Sequence, residues 1–297
     1  MARQSLLPVR LGALLAVLFW GVSFVATKAV VAEVSPVCLI FSRTVLGAGL
    51  LVAILRARRQ PLLPPRDAWR SLAVMGFVGV AFHQVLQAYA LGMTSAVSAG
   101  WLVALAPIWS AVLSAAFLRE RLGPAKLLGL AAGFCGAAIV VTRAGIGPHL
   151  LALPSTRGDL LLLLSTLNWA LYSVLGHPTL RRIGPTRATA GALCSGGLML
   201  LPFFVWTGAW RELGGLSPRG GFAVAFLGIA CSGLGSLFWY GALEKLEASR
   251  VAAFLYLEPL VTLAAAVLLL GEPAPAVTLG GGALLLFGVW LVQRAGR

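Results

Sequence analysis

Glu258 is the one carboxylate set deep inside a long apolar segment, the run 250–270. An ionised acid at such a place costs about 2.5–3.5 kcal/mol on membrane-insertion scales. Residues of this kind mark substrate paths, proton relays or internal ion pairs. Two bases, Lys28 and Arg43, also lie within apolar segments. Either can pair with Glu258 or face the carboxylate of a ligand. Lys28, late in its segment, can instead snorkel to the interface. Arg43 and Glu258 are therefore candidates for coupling or charge pairing.

A second set is aromatic and amide. His83, Gln84 and Gln87 fall at spacings of one and four, which places Gln87 on a helix face shared with His83 and Gln84. Trp101, Asn168, Trp169, Tyr172, Tyr240 and Tyr256 lie several residues inside other apolar runs. Together they suit a cavity for an amphipathic, aromatic-bearing ligand. The structural alternative is packing or an interfacial belt, which suits Trp69, Trp206, Trp210, Trp239 and Trp290. For His83 the alternative is an interhelical donor. Pro107 and Pro259 sit mid-segment. Each should remove one helical hydrogen bond and free the carbonyl of Val103 or Leu255, giving a static kink or a paired hinge.

Other chemistry is excluded by what is missing. The chain has no GxxxxGK[ST], so it does not hydrolyse ATP through that motif, and no HExxH. Its three histidines are scattered, so neither a metal site nor a cofactor is expected. Serines such as Ser232 and Ser236 would fit an intramembrane protease only with an elbow motif, which is absent. Cys38, Cys135, Cys194 and Cys231 lie in apolar runs without a CxxC and read as packing residues.

The elements that carry these residues are membrane spans. The 297 residues are 59% hydrophobic and 11% charged, with mean hydropathy +0.93. Soluble domains carry about 25% charged residues, so lipid must be the solvent for most of this chain. About 20 apolar residues cross a bilayer. That rule gives ten spans: 11–32, 36–55, 71–91, 95–118, 124–142, 158–177, 186–207, 221–243, 250–270 and 274–293. The first run is too long for a cleaved signal peptide. The formal charge of +14 sits in short clusters between spans, with no basic face, so nucleic acid is not a partner. Seventeen Lys and Arg fall on one side and four on the other, which puts both termini in the cytoplasm.

The spans repeat. Trp20, Lys28 and Pro36 recur as Trp169, His177 and Pro185 at an offset of 149. Pro107, Glu120, Gly129 and Gly136 recur as Pro259, Glu272, Gly281 and Gly288 at 152. The change of offset places a three-residue insertion near 208–220. Two five-span halves, residues 1–147 and 148–297, follow. Because five is odd, the second half is inverted. Inverted repeats supply the two exchangeable states of a secondary transporter. Glu120 and Glu272, at span ends, read as capping residues. Gly129-x-x-x-Gly133 and the glycines at 280–282 and 288 permit close helix approach. They serve either a homodimer face on spans 5 and 10 or packing within the bundle; a monomer is the expectation.

Phe19-Trp20-Gly21-Val22-Ser23-Phe24, the Pro36…Arg43 spacing, Pro107 with Arg119-Glu120-Arg121, and Leu257-Glu258-Pro259 with Leu270-Gly271-Glu272 resemble the EamA branch of the drug/metabolite transporter superfamily. The resemblance covers essentially the whole chain. It implies ten transmembrane helices in two inverted five-helix repeats and export of small metabolites, with amino acids, notably aromatic ones, among the bacterial substrates. The second half departs from symmetry, since Arg43 aligns with Ala192 and Lys28 with His177. The expectation is thus an all-α integral membrane protein of a bacterial inner membrane, not an enzyme. It would export a neutral or aromatic amino acid by alternating access through a cavity lined by spans 1, 3, 4, 6, 8 and 9. Export of drugs, nucleobases or sugars, a channel, and an intramembrane enzyme stand as alternatives.

Overall fold

The computed structural model describes residues 6–93, 102–142, 157–270 and 276–295. The described residues are helical, with short turns between. Helices α1 (Leu7–Val31) and α2 (Pro36–Ala57) are followed by α3 (Trp69–Met75), which runs through a π-helical stretch, Gly76–Phe82, into α4 (His83–Met93). Next come α5 (Ala106–Leu118), α6 (Pro124–Thr142), α7 (Arg157–Ile183) and α8 (Pro185–Trp206). Helix α9 (Pro218–Phe226) continues through a second π-helical stretch, Leu227–Gly235, into α10 (Ser236–Lys245). Helix α11 (Ala248–Ala252) leads by a 3₁₀ turn, Ala253–Leu257, into α12 (Glu258–Leu270), and α13 (Ala276–Arg294) follows. Six of these helical runs are long and apolar enough to cross a membrane, and α5, α6 and α13 hold shorter apolar runs.

Local chemistry sets the helix starts. Ser35 and Ser217 precede prolines, and their hydroxyls accept from the backbone N–H of Cys38 and Gly220. A serine cap with proline at the first helical position satisfies an orphan donor and pre-sets φ. Helix α7 passes the expected end of its span at 177 and continues through Pro178 to Ile183. Its last turn carries Arg181 and Arg182, which suit the negative end of the helix dipole.

Two compact units divide the chain. The first holds Met1–Val85 and Leu175–Leu246. Here α2 packs on α8, and each also packs on the π-helical stretch of the other half of the chain. Two crossings in this unit are built alike. At one, a Cβ on Gly47 would lie 2.9 Å from Ser232 Cβ and 3.0 Å from Gly228 O. At the other, a Cβ on Gly196 would lie 2.5 Å from Val80 Cβ and 2.9 Å from Gly76 O. Gly47 and Gly196 differ by 149, and Gly76 and Gly228 by 152, the offsets of the sequence repeat. Glycine is required at all four positions because backbone meets backbone. Apolar residues fill the spaces between. Val30, Cys38, Leu39, Phe204, Leu227 and Cys231 form one cluster, and Leu51, Leu55, Val80 and Leu193 another. At one end of the unit, Glu33 accepts from Ser217 N and Oγ, and Glu212 accepts from Ser35 N, tying 209–217 to the starts of α2 and α9.

The second unit holds Leu86–Val174 and Glu247–Arg297. Its strongest packing is α6 against α13. Gly129 meets Gly288 O, and Gly281 meets Gly136 O, again a pair exchanged by the 152 offset. Gly129, Gly136, Gly281 and Gly288 are thus engaged in this crossing, whereas Gly280 meets nothing within 4 Å. Helix α5 ends at Arg119, which takes the left-handed conformation with φ 55°. That turn aims Glu120 at the start of α11. Its carboxylate accepts from Ala248 N at 2.6 Å, Ser249 N at 3.3 Å and Ser249 Oγ at 2.6 Å. The acid is thus a cap delivered from another helix, as its place at a span end suggested. Glu247, next in line, pairs with Lys126 and Arg250, both at 2.8 Å. Glu120→Ala leaves three donors unmet and is expected to cost about 2–4 kcal/mol. A thermal-unfolding scan in detergent should show a clear fall in midpoint; an unchanged midpoint would contradict the cap.

Exposed apolar side chains are those a lipid solvent would face. Leu198 is 69% exposed, Phe222 78% and Trp206 84%. Trp69, Trp210 and Trp290 are also exposed, which fits an interfacial belt. Trp239 does not fit it. It is 1% exposed, its ring 5.2 Å from that of Trp20.

Candidate functional site

The prolines act differently from the expectation of a mid-helix kink. Pro259 falls in the first turn of α12, directly after the 3₁₀ turn. Proline lacks the N–H that would have reached Leu255 O. The chain tightens, and the N–H of Glu258 bonds Leu255 O instead. The freed carbonyl is satisfied without a ligand. Pro107 likewise lies in the first turn of α5, after a turn at 104–105 in which Leu105 N bonds Leu102 O at 3.1 Å. Both spans are thus broken just before their proline. Discontinuous helices within a membrane expose backbone where ions and polar ligands bind.

Glu258 opens the second of these helices. It is buried, 6% exposed, and stands at the positive end of α12. Among the described residues of its unit no Lys or Arg lies within ion-pair distance of it. Tyr256, two residues earlier, is fully buried. Its hydroxyl donates to Leu130 O at 3.0 Å, and its ring lies where a Cβ on Gly133 would be, 2.6 Å away. That hydrogen bond holds the 3₁₀ turn against α6.

Helix α7 carries a polar stripe in the same unit. Ser165, Asn168 and Tyr172 recur at i, i+3 and i+7, and all three are buried. Thr166, Trp169 and Ser173 form the adjoining row, with Trp169 half-buried and its ring 5.7 Å from that of Tyr172. The sequence reading named three of these six residues. Ser165, Thr166 and Ser173 were passed over because lone hydroxyls in a leucine-rich run carry little signal, although their spacing was visible. Gln87, on α4, is half-buried. Trp101 lies outside the described residues, as do Glu272 and the side chain of Lys28.

In the first unit, His83 is buried where the π-helical stretch gives way to α4, and its N–H bonds back five residues to Val78 O. Gln84 is half-buried beside it. Tyr240 is 1% exposed, next to Trp239. Trp20 packs on Trp239 and donates through Nε1 to Cys231 O at 3.2 Å. Arg43, 7% exposed, donates through Nε to Ser232 Oγ at 2.9 Å. The two π-helical stretches were not foreseen. Stretches of this kind recur at functional positions. The available signal was the doubled glycines Gly76 and Gly228 at the repeat offset. Among the described residues no cluster of His, Cys, Asp and Glu could hold a metal ion.

The chain matches the EamA-like transporter family model twice, over residues 8–142 and 156–294. An uncharacterized transporter of Archaeoglobus fulgidus is 33% identical over 284 residues, covering 94% of this chain and 96% of its own. A probable terminal-alkyne amino-acid exporter of Streptantibioticus cattleyicolor is 30% identical over 224 residues, covering 75% and 72%. A solved crystal structure superposes with TM-score 0.77 at 22% identity, covering 96% of this chain and 98% of that one, which shows a common fold.

Proposed function

Because this chain belongs to the EamA-like transporter family, and so is a membrane transporter, we propose that it exports small metabolites, foremost neutral or aromatic amino acids, by alternating access. The observation that carries the reading is the pair of helices broken before Pro107 and Pro259, the second opening on the buried acid Glu258. The kinship with a probable amino-acid exporter supports the substrate class.

The proposed architecture is ten transmembrane helices in two inverted five-helix repeats, residues 1–147 and 148–297. Both termini face the cytoplasm of a bacterial cell whose inner membrane holds the protein. The exchange of glycine contacts at the repeat offsets supports the inversion. Substrate contacts are assigned to His83, Gln84, Gln87, Trp101, Asn168, Trp169, Tyr172 and Tyr240. The amides and His83 offer donors and acceptors, and the rings offer apolar faces. Tyr256 belongs to the same proposed set, since its hydroxyl oxygen can still accept while it donates to Leu130 O. Pro107 and Pro259 mark where each broken helix can swing. Glu258 is assigned to coupling.

Trp169→Ala and Trp101→Ala are the test. Removing a ring from a binding cavity forfeits about 2 kcal/mol or more of contact, which is a loss of roughly thirtyfold or greater in apparent affinity. Labelled amino-acid flux into proteoliposomes should fall to near background while both proteins still reconstitute. Wild-type flux from both variants would remove these residues from the site.

A further inference from the structure

Arg43 is a buried base to which the proposed transport cycle assigns no role. It is the eighth of the 22 residues of α2, in a segment apolar enough to cross a membrane. Its Nε donates to Ser232 Oγ in the second π-helical stretch. Among the described residues of its unit it has no carboxylate within ion-pair distance; Asp67 pairs with Arg182, while Glu33 and Glu212 cap helix starts. Among the described residues its hydrogen bond is the one from Nε to Ser232 Oγ, and the side chain is buried, with 7% of its surface exposed. A guanidinium inside hydrocarbon is costly, and its retention needs a reason.

The repeat rules out the simplest one. Arg43 and Ser232 correspond to Ala192 and Val80 at offsets of 149 and 152. The twin crossing, Gly196 on Gly76, is closed as tightly as Gly47 on Gly228, with those two apolar side chains in place of the polar pair. The helices therefore approach without any charge. We propose that Arg43 is a carboxylate anchor: Ser232 holds Nε and orients the guanidinium, whose free fork then takes the carboxylate of the substrate. Two parallel N–H donors match a carboxylate's two oxygens. The assignment rests on the transport reading and narrows its substrates to carboxylate-bearing ones.

The test compares acids with their methyl esters. Wild type, Arg43→Gln and the double variant Arg43→Ala with Ser232→Val, which copies the twin crossing, are purified and reconstituted. Flux of a neutral or aromatic amino acid and of its methyl ester is measured. Thermal stabilisation by a panel of monocarboxylates and their methyl esters is measured in parallel. Arg43→Gln should raise half-saturation for the acid by about tenfold or more and change that for the ester by about twofold or less, since losing one partner of a desolvated charge pair has effects of that order. The double variant should unfold at the wild-type temperature and lose stabilisation by carboxylates. Equal effects on acid and ester, failure of the double variant to fold, or a wild type that no carboxylate stabilises would each overturn the anchor. A wild type that moves no amino acid but is stabilised by other carboxylates through Arg43 would sink the amino-acid reading and leave the anchor standing. Amino-acid flux without discrimination by Arg43 would do the reverse.

Discussion

Gly136→Leu is expected to leave no folded protein to purify. A Cβ at Gly136 would overlap the backbone nitrogen of Leu285 and lie 2.7 Å from Gly281 O. These obstacles are backbone atoms of α13, so no rotamer change relieves them. The α6–α13 crossing would have to part, and with it the reciprocal contact of Gly288 on Gly129 O at 2.6 Å. Overpacking typically costs about 1–3 kcal/mol where side chains can yield, and more where they cannot. In lipid, close packing of this kind is itself the main force between helices. The check is monodispersity and thermal unfolding after extraction in detergent. Gly280→Ala is the control. Nothing lies within 4 Å of a Cβ there, and the helix gains propensity of up to about 1 kcal/mol. Equal yields from both variants would contradict the crossing.

Glu258→Gln is expected to separate transport from its driving force. The side chain is buried at the start of α12, after a broken stretch of backbone. Insertion cost of about 2.5–3.5 kcal/mol opposes its charge, while a helix N-terminus favours it by about 0.3–2 kcal/mol. A carboxyl held between such opposed terms can exchange a proton as its surroundings change. Glutamine keeps the size and hydrogen bonding and abolishes the exchange. Flux driven by an imposed pH gradient should disappear, while exchange of substrate for substrate continues. An undiminished response to the gradient in the variant would remove Glu258 from coupling.

Much of this was legible in the sequence, and particular residues show why. Apolar runs of about 20 residues fix spans because lipid permits few other structures. Where the ends lie among the described residues, the helix bounds fall within a few residues of those expected, except that α7 runs past Pro178 and the fourth and ninth runs are interrupted before Pro107 and Pro259. The offset of 152 made Gly129 equivalent to Gly281 and Gly136 to Gly288, and the contacts of the crossing exchange those equivalents. Glu120 read correctly as a cap, since an acid at a span end has nearby N–H groups to serve. Hydropathy is blind to hydrogen-bond register, so the π-helical stretches after Met75 and Phe226 left only their glycines as a trace. Trp239 was misread because its rank along the span resembles that of an interfacial ring; partnership with Trp20, from the other half of the chain, is what buries it. The hydrogen bond of Tyr256 left no trace in the sequence for a like reason, its acceptor lying 126 residues away on α6. The prolines read in the sequence as mid-helix kinks or hinges, whereas each lies in the first turn of a helix. That the break precedes each proline, and is closed by a tighter turn, depended on which carbonyl the neighbouring N–H would take.

Counterflow tests the central claim most directly. Proteoliposomes preloaded with an unlabelled neutral or aromatic amino acid are diluted into a trace of the labelled one. A carrier that alternates between two states will draw label inward above its equilibrium level, transiently and saturably, and empty liposomes will not. Absence of that overshoot for every amino acid, or entry that rises with concentration without saturating, would contradict the account.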